Sequence, residues 1–216
     1  LQRRSSDLPL RYGDLALLSR TNSKAADYAQ ALTSMGMPVA LGQAGLLATP
    51  EACLALACLR RLADPADTLA SAEVIALHGA LAPEEWLENR LKFLEAGGAS
   101  RSWGIEGDFR HPVLTALEAE RRQLVLFSPS EALTRALAVG EVERAACVWG
   151  PTAFRAQQRL TNLEALRALA LGYEDACRQQ RSAATIGGLI LWLQDLQAAE
   201  LDTKGLDPQA DAIQVL

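Results

Sequence analysis

A run of polar residues, Ser19, Arg20, Thr21 and Asn22, follows directly on the apolar stretch Leu15 to Leu18. Arginine carries a permanently charged, planar fork of donors that matches phosphate oxygens, and an asparagine amide adds a donor with looser geometry. Held at the end of a strand, such residues can grip a sugar–phosphate backbone without reading its bases. Arg20 and Asn22, whose types suit a phosphate, are therefore the candidate ligand contacts beyond the strand end, and Thr21 between them suits the shaping of the loop. The bland alternative is that Arg20 is a surface arginine and Asn22 a helix-start residue, with Ser23 the N-cap.

Other chemistry is sparse. Cys53, Cys58, Cys147 and Cys177 form no Cys-x-x-Cys pair, and with only His78 and His111 as partners no metal-ligand spacing arises. Buried, reduced core cysteines of a cytoplasmic protein are the expectation. Of the tryptophans, Trp86, Trp103, Trp149 and Trp192, base stacking is conceivable. Trp192 falls in an apolar stripe and reads as core. Trp103, between Arg101 and Arg110 in a Gly-rich stretch, is the one to test, against a reading as a packed loop anchor. Arg60/Arg61, Arg121/Arg122 and Arg155/Arg159 read as solvated helix faces. No nucleophile–base pair, carboxylate dyad or metal cluster can be assembled.

The elements that must position Arg20 to Asn22 follow from the flanking pattern. A Tyr-Gly-Asp turn leads into a short strand over 14–19, a helix runs from Ser23 to Met35-Gly36, and a second strand spans 38–42. Parallel α/β layers are built from this strand–loop–helix–strand unit, and their ligands sit beyond the carboxyl ends of the strands. Helix starts at Thr49-Pro50-Glu51, Asp67 or Thr68, Pro83-Glu84-Glu85, His111-Pro112 and Ser128-Pro129 follow in turn. Gly97 to Gly107 reads as the longest loop. After a break at Trp149-Gly150-Pro151 the longest helical stretch spans 152–180, and a last helix follows Ser182. Residues 211–216 read as a strand. The fold expected is mainly α: a helical inserted domain on a small, partial parallel sheet from strands 14–19, 38–42 and 211–216.

The 216 residues are half hydrophobic, which permits a sizeable core. Only 5% are aromatic, and the Ala- and Leu-dominated remainder favours helix. A formal net charge of −5 excludes a chain that coats nucleic acid by bulk electrostatics, so any such contact must be local. Lysine is confined to Lys24, Lys92 and Lys204, a bias that reads as compositional. No segment approaches the ~18 uninterrupted apolar residues of a membrane span. The start, Leu-Gln-Arg-Arg-Ser-Ser, leads into no signal peptide and lacks Met, so the chain reads as a piece of something longer.

Three stretches carry a resemblance: the strand ending in Arg20-Thr21-Asn22, then Gly36-Met37-Pro38-Val39, then Leu46-Leu47-Ala48-Thr49-Pro50-Glu51. In this order they resemble the second motor domain of superfamily 1 DNA helicases of the UvrD, Rep, RecB and AddA type. There a helical domain interrupts the motor domain, and the chain returns through a strand similar to Asp211-Ala212-Ile213-Gln214-Val215-Leu216, ahead of a Thr-x-His-x-x-Lys-Gly-Leu-Glu motif. Glu85-Trp86-Leu87 and Trp149-Gly150-Pro151 resemble the RecB/AddA exonuclease branch more than UvrD.

The resemblance implies that residues 1–47 and 207–216 are part of a second RecA-like motor domain and that 48–206 are the inserted helical domain. It implies a parent ATP-dependent helicase or helicase–exonuclease of DNA repair and recombination, using ATP and Mg. The implied partners are single-stranded and duplex DNA, the remaining motor domains and a second subunit. Arg20, Thr21 and Asn22 would contact the single strand. The phosphate loop Gly-x-x-x-x-Gly-Lys-Ser/Thr, the magnesium box and the nuclease carboxylates are missing from this sequence, so it is expected to hold no cofactor and to be inactive alone. The rival class is a helical protein-interaction or regulatory module with no nucleic-acid contact.

Overall fold

The computed structural model describes residues 11–20, 22–41, 45–79, 81–149, 153–199 and 213–215. In chain order these form β1 (Ala16–Leu17), α1 (Asn22–Ser34), β2 (Val39–Leu41), α2 (Pro50–Ala63), α3 (Thr68–Gly79), α4 (Pro83–Glu95), β3 (Trp103–Gly104), β4 (Glu106–Arg110), α5 (Pro112–Glu120), α6 (Pro129–Val139), α7 (Val142–Val148), α8 (Ala153–Gln179), α9 (Ile186–Ala198) and β5 (Ile213–Val215). The chain is thus mainly helical with a small parallel sheet. It divides into two compact units, Leu1–Gln43 with Asp207–Leu216, and Ala44–Leu206.

In the first unit the strand order is β1-β5-β2, all parallel. The register pairs Leu17 with Val215 and Leu41 with Val215, so the three strands end level. Parallel strands cannot be joined by a tight turn and need a crossover. Helix α1 supplies it between β1 and β2, and packs on β2 and β5. Gly36, at φ +76°, takes the left-handed position that ends the helix, a conformation an L side chain resists. The sequence placed an N-cap at Ser23, but the helix already begins at Asn22. Strand β1 is shorter than the 14–19 expected, because Tyr12–Asp14 close into a 3-10 turn. Ile213 and Val215 are buried in the central strand, whereas Leu15 and Leu18, which flank the edge strand, stay exposed, as does Met35.

The second unit is organised around α2, on which α3, α5, α6, α7, α8 and α9 all pack. Helix α2 opens with Pro50 at its first position, where the missing N–H costs nothing, and closes after Arg60 and Arg61, which complement the dipole. Its Ala52, Ala55 and Ala57 alternate with Leu54, Leu59 and Leu62, so that neighbours approach closely from several sides. Two polar exceptions lie on it. Glu51 accepts the Asn162 amide at 2.7 Å with both residues buried. Arg61, 1% exposed, lies 3.1 Å from Glu118.

The expectation that Arg60 and Arg61 form a solvated face is therefore wrong. Arg60 is held by Asp67 at 2.9 Å and Glu73 at 3.0 Å, and Arg61 is enclosed by α5. Because the helix is central, none of its residues after Pro50 is fully exposed. Arg159 likewise turns inward, donating to the Ala146 carbonyl at 3.0 Å, while Arg122 is exposed as expected.

Four further details differ from the sequence reading. The expected loop over 97–107 instead contains a 3-10 turn, Ser100–Ser102, and the pair β3–β4. Its anchor is Trp103, 1% exposed, stacked on Phe109 at 6.0 Å and donating its indole N–H to Asn89 Oδ1 at 3.1 Å. Gly104 (φ +80°) passes so near α5 that a Cβ would lie 2.6 Å from Leu114. The helix from Pro112 stops at Glu120 and continues as 3-10 to Leu126. The segment after Ser128 breaks between α6 and α7, where Glu141 is left-handed and a Cβ at Gly140 would strike the Cys58 sulfur at 2.6 Å. The last helix is capped by Thr185, whose hydroxyl accepts the Gly188 N–H at 3.0 Å, and not by Ser182.

Candidate nucleic-acid interface

Strand β1 ends at Leu17, and Arg20 stands three residues on, exposed, in the bend that leads into α1. Since all three strands run parallel and end level, this bend lies at the carboxyl edge of the sheet, where an α/β layer offers its ligand crevice. Asn22 is the first residue of α1, so its peptide N–H belongs to the orphan donors of the first turn. Its side chain, and Thr21 altogether, lie outside the described residues. The structure thus brings Arg20 and the start of α1 together across one residue.

The first turn of α1 carries no acidic side chain, and it does carry an exposed lysine, Lys24. A helix start is electropositive by its peptide dipoles, and acids normally occupy it. Here Arg20 and Lys24 bracket it instead, which makes the bend attractive to an anion such as a phosphodiester. Lys24 is the residue that the sequence reading passed over. Its signal was its place two residues after Asn22 in a chain almost devoid of lysine.

The remaining candidates resolve differently. Trp103 is buried beneath Arg90, whose guanidinium lies 5.0 Å from the ring centroid, so it anchors the β3–β4 turn and has no face to offer a base. Trp192 is half-buried and tilted against Tyr173 at 5.7 Å. The cysteines are all free. Cys58 and Cys177 are buried as expected, Cys53 is half-buried, and Cys147, against expectation, is exposed because α7 turns that side to solvent. Burial pushes the Cys58 thiol up to about 12, and burial, then Glu73 and Glu51, raise Cys53. Neither is a thiolate nucleophile.

His78 and His111 meet edge-on at 5.3 Å. Among the described residues no group of three or more His, Cys, Asp or Glu could hold a metal ion. A groove of about 540 Å³ runs between α6 and α8, lined by Phe127, Ala138, Ala168 and Leu171. Its two arginines are already engaged, Arg135 by Glu120 and Arg167 by Glu143 and Glu164. Among the described residues, no helix is long and apolar enough to cross a membrane.

No family model matches this chain, and no curated protein matches it in sequence.

Proposed function

We propose that this chain is part of an ATP-dependent DNA helicase, or helicase–exonuclease, acting in DNA repair and recombination in the cytoplasm. In this reading the sheet unit belongs to a second RecA-like motor domain and the helical unit is inserted into it. The observation that carries the reading is the strand order β1-β5-β2, in which a strand from the far end of the chain is hydrogen-bonded between two from its start. A chain that leaves a parallel sheet, builds a helical body and re-enters between the strands it left is organised as an insertion. The exposed Arg20 at the carboxyl edge of that sheet, followed by an acid-free helix start, supports a backbone grip on single-stranded DNA.

Arg20 would take a phosphate through its guanidinium fork, and Asn22 and Lys24 would flank it. ATP and Mg would be held by parts of the parent protein that carry a phosphate loop, which this sequence lacks. ATP-driven closure between two motor domains would then move the strand by alternating grip.

Two measurements test this. The coding sequence on either side should specify a phosphate loop upstream and Thr-x-His-x-x-Lys-Gly directly after Leu216. In the full-length protein, Arg20→Ala should weaken single-strand binding for all sequences alike and lower the slope of log affinity against log salt by about one. Flanks without either motif overturn the helicase reading. An unchanged affinity and salt slope removes Arg20 from the grip.

A further inference from the structure

Helix α4 buries none of its residues, yet it is not polar. Leu87, Leu91 and Leu94 are 44%, 51% and 36% exposed, and their spacing of four and then three places them on one face. The opposite face is accounted for: Trp86 and Phe93 pack on the core, and Asn89 holds the Trp103 indole. The leucine row is therefore a second apolar face on a helix that has already used its first. Arg90 borders it on one side, donating to the Thr68 carbonyl at 3.2 Å, which brings the start of α3 and its exposed Leu69 to the same flank.

The other border is acidic. Glu84, Glu88 and Glu95 lie one after another along the row, all exposed, and Lys92 beyond them is drawn to Glu88 at 2.7 Å. An apolar row of this kind, with acidic side chains along its open border, selects what covers it. Nucleic acid and anionic lipid are repelled by the glutamates. A second copy laid antiparallel would set glutamate against glutamate.

We propose that the α4 face is a docking surface for a basic amphipathic helix of a partner protein, one whose leucine-type seam packs between Leu87, Leu91 and Leu94 while its Lys or Arg side chains meet Glu84, Glu88 and Glu95. This surface belongs to the helical unit and is independent of any DNA contact at Arg20.

The probe is a fluorescein-labelled peptide about three heptads long, with Leu at a and d and Lys at e and g, beside a counterpart with Glu at e and g. Anisotropy with the 216-residue chain should detect the Lys peptide, with binding that weakens as salt is raised, and should find the Glu peptide at least about tenfold weaker. Leu91→Glu should cost the Lys peptide about tenfold or more, as should Leu91→Gln, with far-UV circular dichroism unchanged. The triple variant Glu84→Lys/Glu88→Lys/Glu95→Lys should move the preference to the Glu peptide.

Several results would overturn the proposal: equal binding of the two peptides, binding of neither, or indifference to both Leu91 variants. So would a concentration-dependent dimer that Leu91→Glu dissolves, which assigns the face to a second copy, or binding to phosphatidylserine vesicles that the same change abolishes.

Discussion

Arg20 and Arg61 show how the same residue type can be ordinary in the sequence and distinctive in its surroundings. An arginine before Thr-Asn is unremarkable in a chain rich in arginine. What sets Arg20 apart is its exposure at a level sheet edge, two residues before a helix start without acids. Arg61 is the converse, an arginine enclosed in the core with a single carboxylate, Glu118, as its charge partner. His111 is the N-cap residue of α5 but its side chain makes no capping hydrogen bond, and its imidazole is pushed down to about 4, by burial first and then by His78. His78 is itself held below the ordinary histidine value, by burial first, with Glu141 opposing the shift and Arg144 adding to it. The unfolded chain binds this proton at about 6.5 and the folded chain only near 4, so the His111 contribution is fully present above pH 6.5 and is lost as pH falls from 6.5 towards 4. At pH 5 the loss should be about 1–2 kcal/mol after allowance for solvent screening. Urea midpoints measured from pH 7.5 to 4.5 should fall across this window, and His111→Asn should flatten the curve. Parallel pH dependences in the two proteins would reject His111 as the source.

At the scale of elements, the ends of helices carry more specificity than their middles. The start of α6 is the clearest case. Ser128 Oγ accepts the Glu131 N–H, Glu131 returns a carboxylate to the Ser128 N–H at 2.8 Å, and Glu174 reaches from α8 to take the Ser130 N–H at 2.7 Å. Burial alone would raise the Glu174 carboxyl, but the Ser130 amide, with the Ser130 and Ser128 hydroxyls, outweighs it and holds the value down. Ser128→Ala should therefore cost about 1 kcal/mol in chemical denaturation, and Ser128→Asn should restore most of it. A loss near zero would mean that Glu174 carries this helix end unaided. The same signals that marked this start in the sequence, Ser-Pro-Ser-Glu, mark the starts of α2 and α4 by their prolines. By contrast, the break between α6 and α7 has no proline, and its cause is the approach of α2, whose Cys58 leaves no room for a side chain at Gly140.

The two units of the whole molecule differ in how completely each encloses its own apolar surface. The principal core runs from Leu47 to Leu193 and so lies within the helical unit. In the sheet unit, among the described residues, burial is concentrated in Ile213 and Val215, while Tyr12, Leu15, Leu18, Tyr28 and Met35 are exposed. Parallel sheets are ordinarily covered on both faces. Residues 44–206 produced alone should accordingly keep their helix content and unfold in one cooperative transition, read by far-UV circular dichroism against urea. A broad, non-cooperative loss of signal would show that the helical core depends on the strands.

Much of this architecture was legible in the sequence by itself. Leucine and alanine at three- and four-residue spacings, with Pro, Ser and Gly at the ends, located most helices, because those signals act within one turn of chain. The short apolar runs within 14–19, 38–42 and 211–216, at either end of a largely helical pattern, announced a sheet shared between distant segments. What the tertiary structure alone decided was which faces are covered. It placed α2 at the centre, so that Arg60 and Arg61 were enclosed, and it turned Trp103 inward to build β3 and β4 where no periodicity existed. It also left the leucines of α4 bare. Periodicity reports that a helix has an apolar stripe, but only the packing of the other helices determines whether anything in the same chain comes to cover it.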